Sequence, residues 1–131
     1  GLEECMKIAI KNFPVLEGEV ISLCDNSGSA HGTCTSEYGT QTVATIGNLS
    51  GLITAMSATK GGYVGIFGDK LEMYKVDKNR GIIEQLNEIE KIATVMFNDK
   101  LKTEKINWNL IKFPENIIKV FFKYGRHFLL M

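Results

Sequence analysis

Along residues 1–93 the apolar positions switch between two periodicities, and each switch marks a structural element. Leu2, Cys5, Met6, Ala9 and Ile10 recur at three- and four-residue spacings. Glu3 and Glu4 stand where a helix dipole favours acids, so a short amphipathic helix is predicted over 2–11. Asn12-Phe13-Pro14 ends it, because proline pushes its predecessor out of the helical region. After a Glu17-Gly18-Glu19 turn, the run Val20-Ile21-Ser22-Leu23-Cys24 predicts a strand covered on both faces of a parallel sheet. Residues 25–41, rich in Ser, Gly and Thr, read as a long loop. The helical period returns near Thr42, with Val43, Ile46, Leu49, Ile53 and Met56 on one face and Leu52 beside it. Ala44, Gly47, Ser50 and Gly51 permit close approach to a sheet, and Lys60-Gly61-Gly62 is the expected stop. Tyr63 to Phe67 predicts a second strand, and Leu71 to Val76 alternates as an antiparallel edge strand should. Ile82, Ile83, Leu86, Ile89 and Ile92 describe a second amphipathic helix, with Glu84, Glu88, Glu90 and Lys91 on its wet side.

This order predicts an open α/β sheet, parallel with one antiparallel edge strand. Beyond Ala93 the pattern weakens into a segment rich in Lys, Ile, Asn and Phe, where only Pro114 to Tyr124 reads as helical. The expectation is a partial domain over 1–93 followed by a diverged or truncated basic segment over 94–131.

The chain has 131 residues, enough for one domain, and its formal net charge is zero, which argues against a generally basic nucleic-acid binder. The charge is uneven, however. Residues 1–99 hold 8 Lys/Arg against 13 Asp/Glu, a balance of −5, and residues 100–131 hold 7 against 2, a balance of +5. Such a tail fits a polyanion contact or docking onto the acidic body. Cys5, Cys24 and Cys34 are odd in number and lack C-x-x-C spacing, which argues against a disulfide framework or a structural zinc site. Neither a signal-like start nor an apolar stretch of about 20 residues is evident, so a cytoplasmic protein with no membrane contact is expected.

The chemistry is concentrated after Cys24. Asp25 falls at the carboxyl end of a central strand, where open α/β sheets place ligands. Ser27 and Ser29 follow at i+2 and i+4 with Gly28 between them, so a tight turn brings one carboxylate and two hydroxyls together. Hard cations such as Mg²⁺ take oxygen ligands of this kind and keep several waters. Competing readings fare worse. His31 lies near both serines, but no orienting acid or G-x-S-x-G elbow makes a hydrolase of them. No G-x-x-x-x-G-K-[ST] pattern supports a phosphate cradle. Trp108 and Phe121-Phe122 interleave with Lys112, Lys119 and Lys123, as a stacking surface for single-stranded RNA would, or as a core-packing tail would.

Asp25-Asn26-Ser27-Gly28-Ser29 resembles the first motif of the metal-ion-dependent adhesion site in von Willebrand factor A-type domains. With Lys11-Asn12-Phe13-Pro14-Val15-Leu16, Ser36-Glu37-Tyr38-Gly39, Ile46-Gly47-Asn48-Leu49-Ser50 and Gly62-Tyr63-Val64-Gly65-Ile66-Phe67-Gly68-Asp69, the chain is similar to the C-terminal A-type domain of bacterial TROVE/Ro ribonucleoprotein family proteins. The resemblance covers about residues 1–93. It implies a Rossmann-like sheet and a non-enzymatic, divalent-cation-dependent binding module. The implied cation is Mg²⁺ or another divalent ion, weakly held, with Asp25, Ser27 and Ser29 as ligands and an acidic group from a protein partner completing the shell. The family's second motif is a threonine after the second helix, for which Thr103 is the nearest match and Thr94 the next. Its third motif is an aspartate after the next core strand, but the last aspartate here is Asp99. Family members bind small non-coding RNA through a helical-repeat ring upstream of this domain, so RNA contact is implied for that missing region and for no residue here. The alternative is a structural A-type remnant without metal or RNA binding of its own.

Overall fold

The computed structural model describes residues 4, 8, 11, 15–26, 33–36, 39–68, 70–98, 111–123 and 126–130. Its elements are β1 (Val20–Asp25), β2 (Thr33–Ser36), β3 (Gly39–Thr42), α1 (Val43–Ser57), β4 (Gly62–Phe67), β5 (Leu71–Lys75), α2 (Ile82–Asn98), β6 (Ile118–Lys123) and β7 (Arg126–Leu130). The fold is α/β with a mixed open sheet in the order β5-β4-β1-β6-β7. β1 lies between β4 and β6 and is parallel to both, while β5 and β7 close the two edges antiparallel. Glu4, Ile8 and Lys11, from the expected first helix, are helical.

Every residue of β1 is buried, as its nearly unbroken apolar run predicts for a strand covered on both sides. Val20 and Cys24 face a core shared with α1 and α2, including Leu52, Ala55, Val64, Ile66, Ile82 and Ile89. Ile21 and Leu23 face the opposite side, packed with Ile117, Phe67 and Phe121. Gly62 allows β4 to lie against β1. Its φ is +153°, and a Cβ there would stand 1.7 Å from the carbonyl oxygen of Val20.

Several sequence expectations change. Residues 25–41 are not wholly loop, because β2 and β3 pair as an antiparallel ribbon within them. Their threonines suit extended backbone, a preference that the surrounding Ser and Gly obscure. The expected helix over Pro114 to Tyr124 is instead β6. Ile117, Ile118, Val120, Phe121 and Phe122 are β-branched or aromatic, and beside β1 the strand is covered on both faces, so a mainly apolar run interrupted only by Lys119 suits it. The sheet therefore has two antiparallel edges rather than one. The expected boundary after residue 93 falls within α2, and the segment beyond it supplies β6 to the same sheet.

In α1 the small residues meet the sheet as their sizes predict, and Leu52 and Met56 are buried, but the rest of the large apolar face is only partly covered. Ile46 is exposed and Leu49 and Ile53 are half-buried, whereas Ala44, Gly47, Asn48, Gly51, Leu52 and Ala55 are buried. Size explains the choice. A seam of small residues lets the helix axis approach β1, and two strand side chains then reach its backbone. Ser22 Oγ donates to Gly51 O at 2.8 Å, and the Cys24 thiol lies 3.4 Å from Gly47 O. Ser50, Thr54 and Ser57 instead donate to carbonyls four residues back, which satisfies their hydroxyls locally. The helix stops at Ser57, earlier than Lys60-Gly61-Gly62 suggests. Lys78 Nζ donates to Ala58 O at 2.6 Å and brings a cation to the helix's negative end.

α2 is fastened by polar contacts as well. Gln85, fully buried, accepts from Asp77 N at 2.8 Å and donates to Asp77 O at 2.8 Å, which clamps the turn before the helix. Arg80 forks onto Glu88 and also reaches Glu84 at 2.6 Å. Tyr74 Oη donates to Glu88 and joins β5 to the helix. Burial, then that hydrogen bond to Glu88, pushes the Tyr74 phenol up to about 12, while Arg80 and then Tyr74 hold Glu88 below the usual carboxylate range.

Two predictions follow from this packing. A Cβ at Gly51 would lie 2.5 Å from Cys24 Sγ and 3.0 Å from Ser22 Cβ, whereas one at Gly47 meets Phe122 at an ordinary 3.8 Å. Helix propensity alone favours alanine by roughly 1 kcal/mol at either position. Gly47→Ala should therefore raise the melting temperature, and Gly51→Ala should lower it, because overpacking of about 1–3 kcal/mol outweighs the propensity gain. Stabilisation by both would show that the seam is not closely packed. The raised Tyr74 pKa makes its contribution complete below the unfolded value near 10 and lost as pH rises through about 12. The depressed Glu88 pKa makes its contribution complete above the unfolded value of 4.5 and lost as acid protonates it. Absorbance at 295 nm should include a late-ionising tyrosine component that Tyr74→Phe removes.

Candidate functional site

The carboxyl edge of β1 is the point where the sequence expectation and the structure meet. Asp25 is the last residue of β1, opposite Phe67 at the end of β4, and only 6% of its surface is exposed. Both neighbouring strands run parallel to β1, so the carboxylate stands at the carboxyl end of the sheet's parallel centre, the usual ligand position of open α/β sheets. Ser27, Ser29 and Thr103 lie outside the described residues, as do His31 and Asp69. Thr94, the other threonine considered, is on the exposed side of α2 and donates to Glu90 O at 2.8 Å. Among the described residues no three His, Cys, Asp or Glu side chains gather into a metal-binding group, and a site of one carboxylate with serine hydroxyls would not form such a group.

Asn26 extends the ladder one residue past the strand, with its N–H donating to Phe67 O at 2.7 Å. Its side chain turns toward the helices. Asn26 Nδ2 donates to Asn48 Oδ1 at 2.9 Å, and Asn48 Nδ2 donates back to Asn26 Oδ1 at 3.0 Å. The pair is buried, with 5% and 0% exposure. The remaining hydrogens are also used: Asn26 Nδ2 donates to Cys24 O at 3.1 Å, and Asn48 Nδ2 donates to Glu90 Oε1 at 3.4 Å. Three elements thus converge where the Asp25 loop begins. Buried amides left without partners would cost about 1–3 kcal/mol each, so the ring fixes where β1 ends.

Cys24 is inert by the same geometry. Burial first and the nearby Glu90 charge second raise its thiol far above the ordinary range, where a thiolate does not form. Cys34 lies on β2. The aromatic pair of the tail belongs to the core, since Phe122 is buried and Phe121 packs against Phe67 with ring centroids 5.0 Å apart. Lys119 Nζ lies 5.4 Å above the Phe113 ring, a cation–π contact within the protein.

Asn48 and Glu90 are the residues that the sequence reading did not single out. The available signal was a polar residue inside the small-residue seam Ala44, Gly47, Gly51, Ala55, one turn from positions that must face the sheet. No protein-family model, curated protein or solved structure matches the chain.

Proposed function

We propose that the chain is a non-enzymatic binding module that holds a divalent cation, Mg²⁺ or a similar hard ion, at the carboxyl edge of β1. The observation that carries this reading is the burial of Asp25 at the end of the central parallel strand. A carboxylate at that strand end lies where ligands of open α/β sheets bind, and Ser27 and Ser29 follow it at i+2 and i+4 in the sequence. The sheet supports the finer assignment to a Rossmann-like von Willebrand factor A-type fold. It has a parallel centre, an antiparallel strand beyond β4, and a return of the chain to the other side of β1. On this reading the protein works as part of a Ro-like ribonucleoprotein. A partner's acidic side chain supplies a further ligand, and small non-coding RNA is held by a region upstream of this domain.

A second reading, a structural domain without metal, is favoured by one feature. β6 ends in Phe122-Lys123, and no aspartate follows Asp99 in the chain, so the third motif that the resemblance implies has no counterpart.

Thermal unfolding with and without divalent cation separates the two. A site with millimolar affinity, given cation at ten times its dissociation constant, stabilises by about 1.4 kcal/mol, a shift of a few degrees. Mg²⁺ or Mn²⁺ should raise the melting temperature of the native chain by that amount and leave Asp25→Ala unmoved. Equal responses of the two proteins would remove Asp25 from the site. Absence of any response in the native chain would favour the structural domain.

A further inference from the structure

The amide ring at the end of β1 leads outward to solvent through one side chain. Asn26 and Asn48 use all four of their side-chain hydrogens, three within the buried ring and its strand and the fourth on Glu90 Oε1. Glu90 is half-buried and forms part of the wall of an open groove of about 680 Å³ on α2, beside Asn87, Lys91, Thr94 and Val95. The network therefore has a fixed end, the Asp25–Asn26 peptide, and an accessible end, a carboxylate on a different element. Asn48 belongs to α1, 22 residues from Asn26 and 42 from Glu90 in sequence, so the contacts are made only by the assembled fold.

We propose that Asn48 and Glu90 are positioning residues for the Asp25–Asn26 edge, with α2 fixing that edge through Asn48. The ligand involved rests on the cation reading above, whereas the positioning itself rests on the hydrogen bonds alone. Asn48 Nδ2 has its two hydrogens committed to Asn26 Oδ1 and Glu90 Oε1. Removing the Glu90 acceptor leaves one Asn48 Nδ2 hydrogen without its partner in a buried site, which weakens the hold of the amide on Asn26. Asn26 in turn holds the last ladder bond, N–H to Phe67 O, so the effect reaches the backbone beside Asp25. A glutamine at position 90 keeps an acceptor oxygen of the same reach while removing the charge, and this distinguishes positioning from simple electrostatic attraction of a cation.

The test uses Glu90→Ala, Glu90→Gln and, as a control on the same helix, Glu84→Ala, whose carboxylate pairs with Arg80 away from the ring. Hydrogen exchange of the Asn26 amide, measured by NMR in metal-free buffer, should quicken about fivefold in Glu90→Ala, the factor one net hydrogen bond is worth. It should return toward the native rate in Glu90→Gln and stay native in Glu84→Ala. Mn²⁺ titration of the same proteins should show affinity falling in Glu90→Ala and recovering in Glu90→Gln. Asn26 exchange that responds no more to Glu90→Ala than to Glu84→Ala would overturn the proposal, as would Glu90→Gln behaving like Glu90→Ala in both measurements. A native chain that ignores Mn²⁺ would defeat the cation reading while the exchange rates still decide the positioning.

Discussion

A strand that is hydrogen-bonded along both edges and covered on both faces has no access to water, and β1 is in that position over its first five residues, Val20 to Cys24. Each polar atom it carries must find a protein partner, because an unmade bond in such a place costs more than a made one gains. Ser22 and Cys24 solve this by reaching backbone carbonyls of α1, at Gly51 and Gly47. That solution in turn demands a helix surface without side-chain bulk, which is why glycines stand in the middle of a helix where they are intrinsically unfavourable by about 1 kcal/mol each. The polarity of one strand and the smallness of one helix face are thus a single constraint seen from two sides.

The legible parts of the chain were those where period and burial agreed. β1 and β4 are apolar runs of strand length, and α2 carries isoleucines and leucines at helical spacing, so each could be placed from composition alone. For α1 the small residues Ala44, Gly47 and Gly51 were rightly read as those that approach a sheet, but the face of large apolar residues is only partly the core face. Ile46 is in fact exposed, while Gly47, Gly51 and Ala55 are buried, because close approach to β1 favoured small side chains over large ones. β6 was misread for a different reason. A doubly covered strand and a buried helical segment look alike over a short, mainly apolar run, and only the tertiary fact that a place beside β1 is filled by it decides between them.

For the candidate site, the place of Asp25 was legible because a strand's end and a following Gly/Ser turn are both local signals. Asn48 and Gln85 were not, and the reason is the distance to their partners. Gln85 looks like one of several polar residues near the start of α2, yet it is fully buried because the backbone of Asp77 needs it. Asn48 needs Asn26, 22 residues earlier. Local pattern shows where a buried polar residue is unusual, but it does not supply the partner that makes it tolerable.

That dependence on a distant partner also suggests why an amide ring stands where leucine would pack. Apolar residues at 26 and 48 could bury comparable surface, and buried polar contacts contribute little net stability when such a replacement is available. What they add is directional. A helix resting on a strand through glycine and alanine alone has few features to stop it sliding. Two amides that must meet with donors facing acceptors permit one alignment of α1 on β1, and the same alignment lets Ser22 find Gly51 O and Cys24 find Gly47 O. A slide by one residue would break all of these bonds inside a site that water does not reach. The end of β1 is therefore set by the register of a helix whose own place is fixed by the bonds it makes to that strand.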